Sequence, residues 1–166
     1  MFDELTKVDI QKMKEEIEYR ISLRPQLRAD VQQARELGDL SENDEYRTAK
    51  REKNRNDSRI AYLQRMIETA RVIDASSKED EVGLFDKVTL YVEEDDAEET
   101  YVLVTTLREN ALEGYVSKES PLGKALLGKK TGDRVTIRVS ESYSYDVVVR
   151  AIEKGKDDSS LPITSF

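Results

Sequence analysis

Residues 37–46 read LGDLSENDEY and separate two long, charged segments whose composition favours helices. Such a position calls only for a turn, yet Asp39, Glu42, Asp44 and Glu45 all fall within seven residues. Apolar residues recur at steps of three and four on both sides of the turn, which is the helical period. The stretch therefore predicts a reversal of the chain between two helices.

Folding the chain back about residue 40 brings the apolar positions of the two segments together. Ala34 then pairs with Tyr46, and Met13 with Ile67, as in an antiparallel coiled coil. The seam is apolar at both ends and polar in the middle, where we expect Arg20 and Arg24 to face Ile60 and Asn56. Pro25 should kink the first helix without ending it, because the apolar period resumes at Leu27.

Composition excludes several kinds of chemistry. The 166 residues include no Cys and no His, so the chain has no disulfide, no thiolate or imidazole metal ligand and no imidazole base. Neither an apolar run long enough for a membrane span nor a secretory h-region is present, and we expect a cytoplasmic protein. The net charge of -8 is uneven, because residues 20–66 carry eleven Lys and Arg against eight Asp and Glu.

The acids of the turn have two interpretations. Asp39 or Ser41 could cap the second helix, with Glu42 or Asp44 three residues later closing a capping box. Alternatively, Asp39 and Glu42 direct two carboxylates at one point, and hard oxygen ligands of this kind suit Mg²⁺. Two carboxylates hold that ion weakly, so the second interpretation describes half of a metal site.

A basic run follows the turn directly on the second helix. A solvated helical face with alternating charge is one interpretation, and a surface for a polyanion such as RNA is the other. The residues concerned are Arg47, Lys50, Arg51, Lys53, Arg55 and Arg59.

The pattern changes after residue 75. A polar break at 76–81 is predicted to be a linker, and it precedes five runs rich in Val, Thr and Tyr that suit the strands of a half-exposed antiparallel sheet. Within this part, SPLGKALLG is predicted to be a short helix with Ser120 as N-cap, Pro121 at its first position and Gly128 just past its end. Residues 155–166 show no periodicity and are predicted to be a mobile tail.

Three motifs resemble those of the bacterial Gre-type transcript cleavage factors, and the GreA branch more than GreB. They are the hairpin run RPQLRADVQQARELGDLSENDEYRTAK from Arg24 to Lys50, the RVID at 71–74, and SPLGKALLGKKTGD at 120–133. The resemblance implies an α+β fold. A coiled-coil hairpin over residues 1–75, with its acidic tip at 38–45, is followed by a β-rich FKBP-like domain over 82–154 that docks on RNA polymerase.

The resemblance also implies a function. Gre-type factors insert the hairpin through the secondary channel of a backtracked bacterial RNA polymerase and stimulate cleavage of the RNA 3′ segment, while the polymerase supplies the active site. Asp39 and Glu42 match the tip acids, which assist a second Mg²⁺ shared with the polymerase and not held stably by the factor alone. The chain would thus be no enzyme itself, and we expect a monomer.

Further roles follow from the same resemblance. Ser41 and Asn43 are expected to support the tip. RNA or polymerase contacts are expected from Arg35, Arg47, Lys50, Arg51, Lys53 and Arg55. Docking on the polymerase is expected from Ser120, Pro121, Leu122 and Gly123.

Three departures from the family pattern accompany these matches. LTKVDIQKM lacks a usual glycine, VSESYSYDVV replaces a proline and glycine hairpin, and the tail after Lys154 is long. Two alternatives stay open. One is a channel-binding inhibitor of the same fold that does not aid cleavage, although such relatives usually alter the tip acids. The other is a prolyl isomerase, which the absence of Trp disfavours.

Overall fold

The computed structural model describes residues 3–38, 42–157 and 160–165. The chain divides into two compact units, which we call the hairpin unit, Ile10–Ala70, and the sheet unit, Met1–Asp9 with Arg71–Ser165. No helix in these described ranges is both long and apolar enough to cross a membrane.

Two long helices form the hairpin unit, with the first turn of α1 counted in the sheet unit. Helix α1 spans Lys7–Arg35 and continues through Pro25, as expected, while α2 spans Asp44–Thr69. Contacts between them run in opposite directions along the two helices: Glu16 meets Arg59, Arg20 meets Asn56, and Ala34 meets Asn43. The helices are therefore antiparallel.

The middle of the seam is polar, as predicted, but its pairs differ in detail. Arg20 Nη1 donates a 3.2 Å hydrogen bond to Asn56 Oδ1, and Asn56 Nδ2 donates a 2.9 Å hydrogen bond back to the Arg20 main-chain carbonyl. Arg20 was predicted to face Ile60 instead. Arg24 pairs with Asp57 at 3.2 Å, one position beyond the predicted Asn56. A long arginine side chain can extend along the helix interface to an acceptor on a neighbouring turn, and heptad spacing does not predict this choice of partner.

Glu16 joins the two helices at the buried end of this polar stretch. Its Oε2 accepts 2.7 Å hydrogen bonds from Arg59 Nε and from Arg20 Nε, and Arg59 is only 4% exposed. Burial raises the pKa of Glu16, but the hydrogen bonds and charges of the two arginines outweigh it and hold the pKa below its usual value. Sequence periodicity gave no sign of this triad.

The described residues of the sheet unit form seven strands and one α-helix besides the first turn of α1. The five strands predicted from the sequence are all present, namely β3 Lys87–Val92, β4 Ala97–Val104, β5 Tyr115–Ser117, β6 Arg134–Arg138 and β7 Ser144–Glu153. They pair in the order β5-β4-β3-β7-β6. The predicted helix is α3, Pro121–Leu126, and 3-10 turns occupy Thr106–Arg108 and Ala111–Glu113.

One pairing differs from the predicted antiparallel sheet. Strand β5 runs parallel to β4, with Val102 opposite Tyr115, because the 3-10 turns between them carry the chain back to Val102, so that β5 pairs with the last three residues of β4. The α+β fold class is confirmed. The main core lies between one face of the sheet and α3, where Val88, Leu90 and Leu126 are fully buried.

The boundary between the units differs from the predicted hairpin range of 1–75. Strand β1, Glu4–Leu5, pairs in parallel with β2, Arg71–Val72, and both belong to the sheet unit. Two-residue strands are too short to show a period of two, which is why the sequence pattern missed them.

The predicted linker at 76–81 is held in place by one lysine. Lys154 Nζ donates hydrogen bonds to Ser77 Oγ, to the carbonyls of Lys78 and Glu81, and at 2.5 Å to the buried carboxylate of Asp86. Within 76–81, Ser77 contributes its hydroxyl to the ammonium group, whereas Lys78 and Glu81 contribute only backbone carbonyls.

The prediction of a mobile tail over 155–166 is wrong for the tail residues that the structure describes. Asp157 Oδ1 lies 2.9 Å from Arg108 Nη1, Leu161 packs against the cluster of Leu84, Phe85 and Val104, and the Thr164 amide donates to the Leu107 carbonyl. These partners lie far back along the chain, between residues 84 and 108, so no local pattern in the tail reveals them.

Candidate functional site

The tip of the hairpin unit is a reversal built around one glycine. Helix α1 ends at Arg35, and two turn residues lead to Gly38 with φ of 134°. L-amino acids with a side chain rarely adopt such a φ, whereas glycine does so without steric cost. Helix α2 begins six residues later, at Asp44.

Asn43 is the N-cap of α2 and also closes the reversal. Its Oδ1 accepts a 3.0 Å hydrogen bond from the Tyr46 amide, and its Nδ2 donates a 2.7 Å hydrogen bond to the Ala34 carbonyl near the end of α1. The predicted cap at Asp39 or Ser41 is therefore wrong. Spacing could not choose among several residues that all cap well. Asn43 supports the tip physically, since one amide binds the ends of both helices.

Glu42 lies beside this cap and is exposed. Its carboxylate makes no hydrogen bond or ion pair with another residue that the structure describes. Asp39 and Ser41 lie outside the described residues. Because Asn43 caps α2, the helix does not need the turn acids for that purpose, and the Glu42 carboxylate remains available to an external ligand.

The chemistry of the tip fits a hard divalent cation held only in part by this chain. Carboxylate oxygens are the ligands that Mg²⁺ prefers, and one or two of them usually suffice when another molecule supplies the rest. Within the described ranges, no three Asp or Glu side chains converge as a metal-binding group. Glu42, with Asp39 as its sequence partner, would contribute part of a coordination shell.

An aromatic and two cations sit just behind the tip. Arg35 and Lys50 lie over the ring of Tyr46, at 5.7 and 5.9 Å from its centre. The hydrogen bond from Arg35, aided by the charge of Lys50, lowers the pKa of the Tyr46 hydroxyl. Tyr46 thus orients Arg35 and Lys50, two of the residues predicted to contact RNA or polymerase. From the sequence, Tyr46 was expected only in the apolar seam between the helices. Lys50 lies four residues after Tyr46 and so on the same helix face, which was the available signal for this contact.

The other basic residues divide between two faces of α2. At about 100° per residue, Arg47, Lys50, Arg51 and Arg55 share the outward face. The remaining residues of that face between positions 47 and 58 are Asn54 and Ser58, so it carries no acid there. Lys53 lies on a different face, half-buried and 3.3 Å from Asp57. Towards the tip, Arg47 pairs with Asp44 at 3.7 Å. The acid-free stretch beyond it would suit an anionic ligand.

The four residues predicted to dock on the polymerase begin α3. Ser120 caps the helix by accepting from the Gly123 amide at 3.1 Å, and Leu122 packs against the main core. A side chain at Gly123 would overlap the Ser117 carbonyl. Three of the four residues thus have structural roles, while Pro121 is exposed at the first helical position.

Comparison with known proteins places this geometry in a family. Residues 4–72 match a model described as "Transcription elongation factor, N-terminal", and residues 77–154 match "Transcription elongation factor, GreA/GreB, C-term". The chain belongs to the GreA/GreB family of transcription elongation factors. The resemblance inferred from the three motifs is confirmed, and the tail beyond residue 154 lies outside both GreA/GreB models.

Individual GreA relatives cover most of the chain. Transcription elongation factor GreA of Oenococcus oeni is 43% identical over 134 residues, which is 80% of this chain and 83% of that protein. GreA of Streptococcus pneumoniae serotype 19F is 38% identical over 152 residues, 90% and 94% of the two chains. Among solved structures, GreA factor homolog 1 (Gfh1) of Thermus thermophilus is 25% identical over 93% of this chain and all of that one, with a TM-score of 0.43.

Proposed function

We propose that this GreA/GreB family member binds a backtracked bacterial RNA polymerase through its secondary channel and stimulates cleavage of the RNA 3′ segment. The observation that carries the proposal is the cap at the tip. Asn43 binds the ends of both helices, so the acids beside it are spared for a role outside the fold.

The polymerase would supply the catalytic centre, and this chain would complete it. A Mg²⁺ ion shared between the two can activate water and stabilise the leaving oxygen of the RNA. Glu42, together with Asp39, would offer carboxylate oxygens to that ion and accept a hydrogen bond from the attacking water. Lacking His and Cys, the chain has no imidazole or thiolate with which to catalyse the step alone.

The helices have the dimensions that such a role requires. Helices of 29 and 26 residues extend roughly 40 Å at about 1.5 Å per residue, which is long enough to reach a buried centre. The outward face of α2 is basic and free of acids between residues 47 and 58, which suits passage along RNA phosphates. Docking at the channel entrance would fall to the sheet unit, with exposed Pro121 as a candidate contact.

The decisive experiment uses a halted, backtracked elongation complex with RNA labelled at its 5′ end. Adding the chain with Mg²⁺ should shorten the RNA much faster than polymerase alone, and the chain without polymerase should leave free RNA intact. A channel-binding inhibitor of the same fold would slow elongation without shortening the RNA. Equal shortening with and without the chain, despite binding, would refute the proposal in favour of that inhibitor.

A further inference from the structure

A groove between α1 and α2 near the tip has a floor that is mostly apolar. It has a volume of about 570 Å³, and Leu27, Ala34 and Ala49 contribute the apolar surface. The two alanines leave this space open because their side chains end at Cβ. The groove lies within the hairpin unit, and neither Glu42 nor the outward basic face of α2 lines it.

Acids line the rim of this groove. They are Asp30 on α1 and Asp44, Glu45 and Glu52 on α2. Glu45 and Glu52 are exposed and form no ion pair with another described residue. The helix dipole explains acids in the first turn of α2, but Glu52 lies two turns further on, where that effect has faded.

The groove and the basic face lie on different sides of the same helix. Glu45, Thr48, Ala49 and Glu52 follow the spacing i, i+3, i+4, i+7, which places them together on one face of α2. At about 100° per residue, that face points well over 90° away from the mean direction of Arg47, Lys50, Arg51 and Arg55. The hairpin therefore presents positive charge to one side and a negatively charged groove to another.

We propose that this groove receives a basic segment of the polymerase protein, with at least one Lys or Arg side chain lying in it. Such side chains place their methylene stems on apolar surface and their charged heads among acceptors, which matches a floor of Leu27 and Ala49 under a rim of carboxylates. RNA phosphates would be repelled there. This inference rests on the proposed function. It identifies the groove as the side of the hairpin that contacts polymerase protein.

The test compares two charge-reversed full-length chains. Glu45→Lys with Glu52→Lys inverts the rim, and Glu18→Lys with Glu68→Lys makes the same change in net charge at exposed positions elsewhere on the hairpin unit. Affinity for the backtracked elongation complex is measured at low and high salt, and melting temperatures confirm folding. The rim variant should bind roughly tenfold more weakly at low salt, and the control within about twofold of the unaltered chain.

A third variant tests the space and not the charge. Thr48 is exposed at the groove, and Thr48→Trp should fill it and weaken binding by a factor that changes little with salt. Rim and Trp variants that bind like the unaltered chain would overturn the inference, and a rim variant that binds more tightly would assign the groove to RNA. If the unaltered chain neither binds nor stimulates cleavage, the proposed function itself fails, which is a separate result.

Discussion

Asp157 Oδ1 lies 2.9 Å from Arg108 Nη1, and the same guanidinium holds Asp9 Oδ1 at 2.9 Å through Nε. Arg108 and Asp9 are fully buried, and the Asp157 side chain is 8% exposed. Asp157 also accepts a hydrogen bond from the Thr6 hydroxyl. One arginine in a 3-10 turn thus joins the start of α1 to the C-terminal segment, all within the sheet unit.

Removing the charge of Asp157 should therefore destabilise the protein. We expect Asp157→Asn to cost about 1–3 kcal/mol, since a buried arginine loses an ion-pair partner. Asp80→Asn is the matched control, because Asp80 pairs with Lys130 in an exposed bridge worth at most about 1 kcal/mol. Denaturant unfolding measures both. Equal stability of the two variants would mean that the buried pair contributes no more than the exposed bridge.

Asn43 offers a second stability test. Asn43→Ala loses the cap and the bond to Ala34, at about 1 kcal/mol each, whereas Asn43→Asp keeps the capping oxygen and loses only the donor. The expected order of melting temperature is the unaltered chain, then Asn43→Asp, then Asn43→Ala. If Asn43→Asp melted at the temperature of the unaltered chain, the bond to the Ala34 carbonyl would contribute nothing to stability. If Asn43→Asp melted with Asn43→Ala, the capping oxygen would contribute nothing.

Glu16 should make the hairpin unit sensitive to acid. Its pKa is lower in the folded chain than in the unfolded one because Arg59 and Arg20 bind the carboxylate. Its stabilising contribution is therefore complete above the unfolded pKa and is lost as pH falls through the folded pKa. We expect the difference in melting temperature between the unaltered chain and Glu16→Gln to be largest near pH 7 and to shrink below about pH 4.5. A difference that did not change with pH would assign the effect to packing.

The outward basic face is tested through salt. Changing Lys50, Arg51 and Arg55 to Gln should weaken cleavage stimulation and reduce its dependence on salt, because fewer counterions are released on binding. A control changes three exposed lysines away from α2, namely Lys14, Lys129 and Lys156. Should both variants show the salt dependence of the unaltered chain, the basic face would be only a solvated surface.

Periodicity predicted the elements of this fold well. The steps of three and four gave both long helices, and alternating β-branched residues gave β3 to β7, because burial of one face imposes these periods. Ser120, Pro121 and Gly128 delimited α3 because capping chemistry is local. The parallel pairing of β5 was not predictable in this way, since strand direction depends on the path of the chain between strands.

The site was predictable only in outline. Asp39, Ser41 and Asn43 all cap helices well, and the choice of Asn43 depends on a contact with Ala34 across the turn. The tail was misjudged for a related reason, because Asp157 is held by Arg108 and Thr6, far away in sequence. A contact between one polar side chain and a partner distant in sequence produces no periodic pattern in the sequence.

The central claim is that Asp39 and Glu42 act on the polymerase centre and not on the fold. Asp39→Asn with Glu42→Gln removes both charges and preserves side-chain size, while the Asn43 cap is untouched. The melting temperature should therefore shift by no more than about 2 °C, and affinity for the backtracked complex should persist.

The rate of stimulated RNA cleavage by this double variant is the most direct measurement. We expect it to fall by roughly two or more orders of magnitude, on the scale of a lost electrostatic contact in a water-poor active site. The variant should then compete with the unaltered chain and inhibit its action. Undiminished cleavage by a variant that still binds would contradict the account and leave LGDLSENDEY as a turn between two helices.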